Sequence, residues 1–150
     1  MTTATQAFSV IRSRLEANQP AGLTSLRWQN EDGGALPDEP AAFAYTEFLS
    51  EPGFVAGYGG GRGSNLYRNP ARVDCYIFVP RGQGLQVATD LAEQVAVLFR
   101  SYRDSDISCF EATVYPGGNG ADIKPPGLAS EVDNYFWALA EVSLHFDQVG

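Results

Sequence analysis

Lysine, histidine and methionine are almost missing from this chain. Lys124, His145 and Met1 are the only examples among 150 residues. The remaining nine of the ten basic residues are arginine, against 18 acidic ones, for a net charge of −8. A protein that grips a duplex gains affinity from cations set against phosphates. This balance therefore argues against a nucleic-acid clamp. It is compatible with lying beside DNA without holding it, because an acidic wall repels phosphate.

Cysteine is scarce too. Cys75 and Cys109 form no Cys-x-x-Cys pair and neighbour no histidine, so no metal site is expected. Both fall in predicted strands and read as small buried hydrophobes. Their spacing leaves open whether they meet, since a disulfide needs a close backbone fit. No apolar run approaches the roughly 20 residues that cross a bilayer, so no membrane partner is expected. The opening Met1-Thr-Thr-Ala-Thr5 lacks a basic segment followed by an apolar core. No secretory signal is expected, and synthesis in the cytoplasm is the default, including for later assembly.

Catalytic signatures are also lacking. There is no nucleophile elbow, no His-Glu-x-x-His and no second histidine to build a triad or a metal site. Asp74, Asp104, Asp106, Glu111 and Glu141 could gather in space, but an acid/base pair needs a separation that spacing along the chain does not reveal. No catalytic residue, cofactor or metal is assigned.

What is present suffices for one domain over residues 1–150. Hydrophobic residues make up 44% and aromatics 12%, enough for a substantial core. Ala7, Phe8, Ile11 and Leu15 recur at helical spacing and predict a helix over Ala4–Ala17. Thr3 and Gln6 have the spacing of a capping box at its start. A short strand is expected over Leu23–Gln29 and a longer one over Ala41–Leu49, joined by a polar, turn-rich connection. Phe54-Val-Ala56 reads as another extended piece.

Arg72–Val79 alternates, with Val73, Cys75, Ile77 and Val79 on a core face and Arg72, Asp74, Tyr76 and Phe78 opposite. After the turn Pro80-Arg-Gly-Gln-Gly84, a helix is predicted over Leu85–Tyr102 from the stripe Ala88, Leu91, Ala92, Val95, Leu98, Phe99 and Tyr102. Asp90 and Glu93 toward its start and Arg100 and Arg103 near its end would complement its dipole. Ile107–Tyr115 reads as a strand whose one face is Ile107, Cys109, Glu111, Thr113 and Tyr115. Residues 116–133 read as a long loop. The last strand, Asn134–Asp147, sets Phe136, Ala138, Ala140, Val142, Leu144 and Phe146 on one face.

The stretch Gly57-Tyr-Gly-Gly-Gly-Arg-Gly63 invites comparison with phosphate-binding loops. No Gly-Lys-Ser/Thr follows it, and no three glycines have the dinucleotide-fold spacing. It also feeds a strand, whereas a phosphate cradle feeds a helix N-terminus. It reads instead as a hairpin or rim loop. Tyr58, Arg62, Tyr67, Arg68, Arg72, Tyr76 and Trp137 lie in this loop or on strand faces that also carry charge. Tyr, Trp and Arg are enriched at protein interfaces. These seven are the candidate contact residues, against the plainer reading that the aromatics are core and the arginines confer solubility.

The layout resembles the tail terminator (minor tail protein) family of long-tailed phages and phage-like gene transfer agents. The resemblance rests on the Gly/Arg loop leading into an alternating strand, the Pro80–Gly84 turn and the Ala- and Leu-rich helix ending Leu98-Phe99-Arg100. It is carried further by the last strand opening Tyr135-Phe-Trp-Ala-Leu139. It implies an α+β fold, a mostly antiparallel sheet with two helices packed against it. It implies a homo-oligomeric ring, usually a hexamer, seated on the head-proximal end of the tail tube in the virion. Such a ring stops tube polymerisation and presents a docking surface to the head–tail connector or neck protein, while DNA passes through its channel without specific binding. The residues alone leave open another neck or tail-completion role, or a small-ligand-binding or acid/base enzyme domain.

Overall fold

The structure, a computed structural model, describes residues 1–119 and 134–150. Two helices and six strands follow one another as α1 (Ala4–Ala17), β1 (Ser25–Trp28), β2 (Phe43–Ser50), β3 (Phe54–Gly57), β4 (Leu66–Pro80), α2 (Leu85–Phe99), β5 (Ser108–Asn119) and β6 (Tyr135–Val149). The strands form one sheet in the order β1-β2-β4-β6-β5, with β3 pairing with the early part of β4. Every pairing is antiparallel except the short β1–β2 pair. The fold is the expected α+β arrangement.

Both helices cover one face of this sheet. Thr3 caps α1 as the spacing predicts. Its hydroxyl accepts the Gln6 N–H at 3.2 Å, and the Gln6 side chain accepts the Thr3 N–H at 2.7 Å. The α1 stripe buries Ala7, Ile11 and Leu15, while Phe8 meets Trp28 and Phe48 edge-on at 5.7 and 6.1 Å. Helix α2 lies over β4, β5 and β6 and buries Ala88, Leu91, Ala92, Val95, Ala96 and Phe99. The strands answer with Val73, Cys75, Ile77, Val79, Ala138, Ala140, Val142 and Leu144, all buried. Each large apolar side chain buried here stabilises the fold by roughly 1.5–3 kcal/mol. Arg14 ties the helices together: its Nε donates to the Leu98 carbonyl and its guanidinium lies 3.7 Å over the Tyr102 ring.

Five expectations need correction. Helix α2 ends at Phe99, because Ser101 turns to a left-handed φ of 57°. Tyr102 still joins the core, but from the turn. No acid occupies the first turn of α2 and no base the last, so the proposed dipole complement is absent. Glu93 and Arg100 instead form an exposed pair at 3.6 Å.

Strand β4 begins six residues before the alternating segment and runs through Pro70. Proline cannot donate to a ladder and is tolerated where its missing N–H has no partner. The Pro70 carbonyl accepts from the Glu51 N–H at 2.9 Å, where β2 has ended and β3 has not begun. The absent N–H falls at that break.

The alternation along β5 is broken. Its pairing with β6 shifts between Cys109 and Ala112, so a bulge at Phe110-Glu111 exchanges the faces. Ile107 and Cys109 face the helices before the bulge, and Ala112 and Val114 after it. Finally, β5 continues through Pro116 to Asn119, residues expected in the long loop. The rest of that loop, 120–133, lies outside the described residues. Cys75 and Cys109 are free and buried, and burial pushes their thiols up to about 11 and about 12.

Candidate interaction surface on the open face of the sheet

The face turned away from the helices is built by register. Residues paired across neighbouring strands share a face, so the pairings sort its side chains into rows. Phe43, Phe78 and Trp137 form the first row, and Tyr45, Tyr76, Leu139 and Tyr115 the second. Glu47, Asp74, Glu141 and Thr113 form the third, and Leu49, Arg72 and Ser143 the fourth. Further along lie Pro70 with His145 and Ser108, then Phe54 with Arg68 and Asp147. The surface grades from aromatic, through a line of carboxylates, to arginine.

The aromatic end is a second, smaller core. Phe43 stacks on Phe78 at 4.8 Å and meets Tyr135 edge-on at 5.2 Å, all three buried. The connection before β2 closes over it: Leu36 packs there, and the Tyr135 hydroxyl accepts the Ala41 N–H at 3.3 Å. Arg27, buried on the same face, sets its guanidinium 5.5 Å from the Phe43 ring. Tyr76 bridges outward, stacked on Tyr45 at 6.3 Å and edge-on to Trp137 at 5.5 Å.

At the carboxylate row, Arg72 donates to both oxygens of the buried Asp74 at 3.0 and 3.2 Å and lies 3.9 Å from Glu141. Glu47 accepts the Tyr45 hydroxyl at 3.0 Å. Burial, and then Glu47, hold the Tyr45 phenol well above its ordinary value. Burial, then Asp74 and Glu47, do the same for Tyr76. Both tyrosines stay protonated donors in a negative field.

The seven predicted contact residues divide among three places. Arg72, Tyr76 and Trp137 come together on the open face. Arg68 shares that face farther along β4, bound to both Asp147 oxygens at 2.9 Å. Tyr67 alternates to the opposite face of the sheet. Tyr58 and Arg62 sit at the tip of the β3–β4 hairpin, where Tyr58 is 88% exposed. That tip is closed by Ser64 N–H to Gly61 carbonyl at 3.1 Å and Gly59 N–H to Asn65 Oδ1 at 3.3 Å. Gly59 is demanded by packing, since a side chain there would strike the Ser64 carbonyl.

Tyr45 and Glu47, which share this face, are not among the seven, although a signal existed. Each of β2, β4 and β6 carries an acid two or four residues from an aromatic on one face, and antiparallel register aligns them. Of the other suspected carboxylates, Asp74 and Glu141 do meet. Asp104 and Asp106 lie elsewhere, with Thr2, His145 and Asp147 around a cavity of about 180 Å³, and Glu111 is exposed in the bulge. Burial and then Arg68 push the His145 imidazole below its ordinary value. Among the described residues no three His, Cys, Asp or Glu side chains are placed to hold a metal ion, and no helix is long and apolar enough to cross a membrane.

Comparison with models of known protein families and with curated proteins finds no match. Among solved structures, one similar chain aligns over 95% of this chain and 96% of its own, with a TM-score of 0.52 and 14% sequence identity. At that identity the likeness concerns the fold alone.

Proposed function

We propose that this chain is a virion assembly protein of the tail terminator type, a homo-oligomeric ring that caps the tail tube of a long-tailed phage or phage-like gene transfer agent. One observation carries the reading beyond the sequence resemblance: a continuous strand, β4, presents two unlike surfaces at separate positions. At its start is a glycine-rich hairpin tip bearing exposed Tyr58 and Arg62, with Phe54 54% exposed beside it. At its centre is the aromatic and acidic face around Tyr76 and Asp74. Closed rings are built from heterologous contacts, which need two different patches on each subunit. The mechanism is steric: bound subunits occupy the growing end of the tube and offer the neck protein a face that adds no further tube ring. DNA passes through without specific binding, in keeping with the net charge of −8.

Another neck or tail-completion role would use the same surfaces. An acid/base enzyme would work at the cavity of about 180 Å³ where His145 stands with Asp104, Asp106 and Asp147. There Asp147 is bound by Arg68, and Asp104 accepts from the Tyr102 hydroxyl and the Asp106 and Ile107 N–H groups, so these carboxylates already have partners within the chain. The test is to image tails assembled without this protein and to weigh the protein in solution. Tails of uncontrolled length that fail to join heads, and a ring-sized mass, are expected. Tails of normal length that still join heads would sink the proposal.

A further inference from the structure

We propose that the Arg62 side chain at the hairpin tip of one copy docks on the Glu47–Asp74–Glu141 row of the next. This rests on the ring reading and names the contact that closes it. The row gathers three carboxylates from three neighbouring strands. Arg72 is the cation that bonds directly within it, and both of its short hydrogen bonds go to Asp74. Three carboxylates against one guanidinium leave an excess of two negative charges on a half-exposed surface. Glu141 keeps 30% of its side chain exposed and is only 3.9 Å, rather than hydrogen-bonded, from Arg72. The neighbouring row supplies the half-buried ring of Tyr76, stacked on the buried Tyr45. Carboxylates beside tyrosine rings are the chemistry that receives a guanidinium, by charge-assisted hydrogen bonds and by cation–π contact.

Arg62 is the cation that fits. It is exposed, and among the described residues no carboxylate bonds it. Its own row is out of reach. Leu66, where β4 begins, is paired eight residues upstream of Asp74, about 26 Å along a straight strand, and the tip projects beyond Leu66. The partner must therefore be another molecule. The loop is shaped for insertion: a side-chain carbon at Gly60, Gly61 or Gly63 would meet nothing within 4 Å in its own subunit. Arg62 is thus carried on a narrow, bare backbone. Because tip and row are different patches held apart by one strand, the contact repeats head to tail and closes into a ring when the rotation permits.

Sedimentation of the full-length chain tests this. Arg62→Glu should weaken self-association at least ten-fold, and Glu47→Arg with Glu141→Arg should do the same. An equimolar mixture of the two variants should recover association between unlike chains. Glu111→Arg, exposed on β5 away from the row, should change nothing. Undiminished association of Arg62→Glu, no recovery on mixing, equal loss from Glu111→Arg, or a wild-type chain that stays monomeric to ~1 mM would each overturn the docking. The tail-length experiment separates the two claims. Uncontrolled tails together with undiminished Arg62→Glu association leave the terminator reading standing without this contact. Normal tails together with a recovered mixture leave the contact standing without that role.

Discussion

The two faces of the sheet are made by the same strands yet built on opposite principles. The helix-covered face uses small and aliphatic residues: Ala44, Ala71, Val73, Cys75, Ile77, Ala138, Ala140 and Val142 are all buried. The alanines of α2 match them, so the helix seats close against the sheet. The open face uses aromatics and charges, with Phe43, Phe78 and Tyr135 sealing one end and carboxylates and arginines occupying the rest. A layer of helices removes water wholesale, so the covered face needs only volume and fit. The open face has no such layer and protects its apolar atoms by stacking large rings against one another. Its charges remain partly exposed. Stability is concentrated on one side, and the contacts proposed above on the other.

The sharpest way to break this contrast is truncation on each side. Phe99→Ala, beneath α2, should lower the unfolding free energy by about 3–5 kcal/mol in denaturant titration. Tyr76→Ala, half-buried on the open face, should cost less than half of that while weakening self-association. Equal losses would mean that the open face is core rather than surface.

Overfilling gives the next largest effect. Ala140→Leu, at 0% exposure, should cost about 1–3 kcal/mol. Ser143→Leu, exposed on the other face of the same strand, should stay within roughly 0.5 kcal/mol. Removing the α1 cap by Thr3→Ala should cost about 0.5–2 kcal/mol and leave association untouched, since it acts only on the covered side.

The smallest effects concern pH at the far end of the open face. Hydrogen bonds from Arg68 hold the Asp147 carboxyl below its ordinary 3.8, against the opposing pull of burial. The folded state therefore binds fewer protons there than the unfolded one. The stabilisation is present above about pH 4 and is lost as pH falls through the depressed folded value. Arg68→Gln should flatten that acid limb in thermal melts from pH 6 to pH 3. His145 is also lowered, by burial and then by Arg68. Its contribution is full above its unfolded value near 6.5 and declines as pH drops toward the folded one. His145→Gln should remove this shallow slope, and a slope that persists would assign it to another group.

Much of the covered face was legible in the sequence because its signals are local. The capping box at Thr3 and Gln6, the stripe of α2 and the alternation of Val73 to Val79 each lie within one element, and each is found where its period places it. Local signals failed where a neighbour intervened. Pro70 reads as a strand breaker until β2 and β3 leave a gap opposite it. The faces of β5 read as one alternation until pairing with β6 forces the bulge at Phe110-Glu111. The open-face cluster was legible only in part, because Arg72, Tyr76 and Trp137 announce themselves by type while Glu47 joins it only through its neighbours.

By itself, the sequence determined where both helices and most strands lie, and which side of β4 and β6 is apolar, since both depend on periods of 3.6 and 2 within a short segment. Only the tertiary structure decided that Glu47, Asp74 and Glu141 stand in one row and that the hairpin tip lies far from it. Those facts depend on strand order and register between segments up to 94 positions apart, from Glu47 to Glu141. Register is chosen by the packing of the whole sheet, and no single segment carries that information.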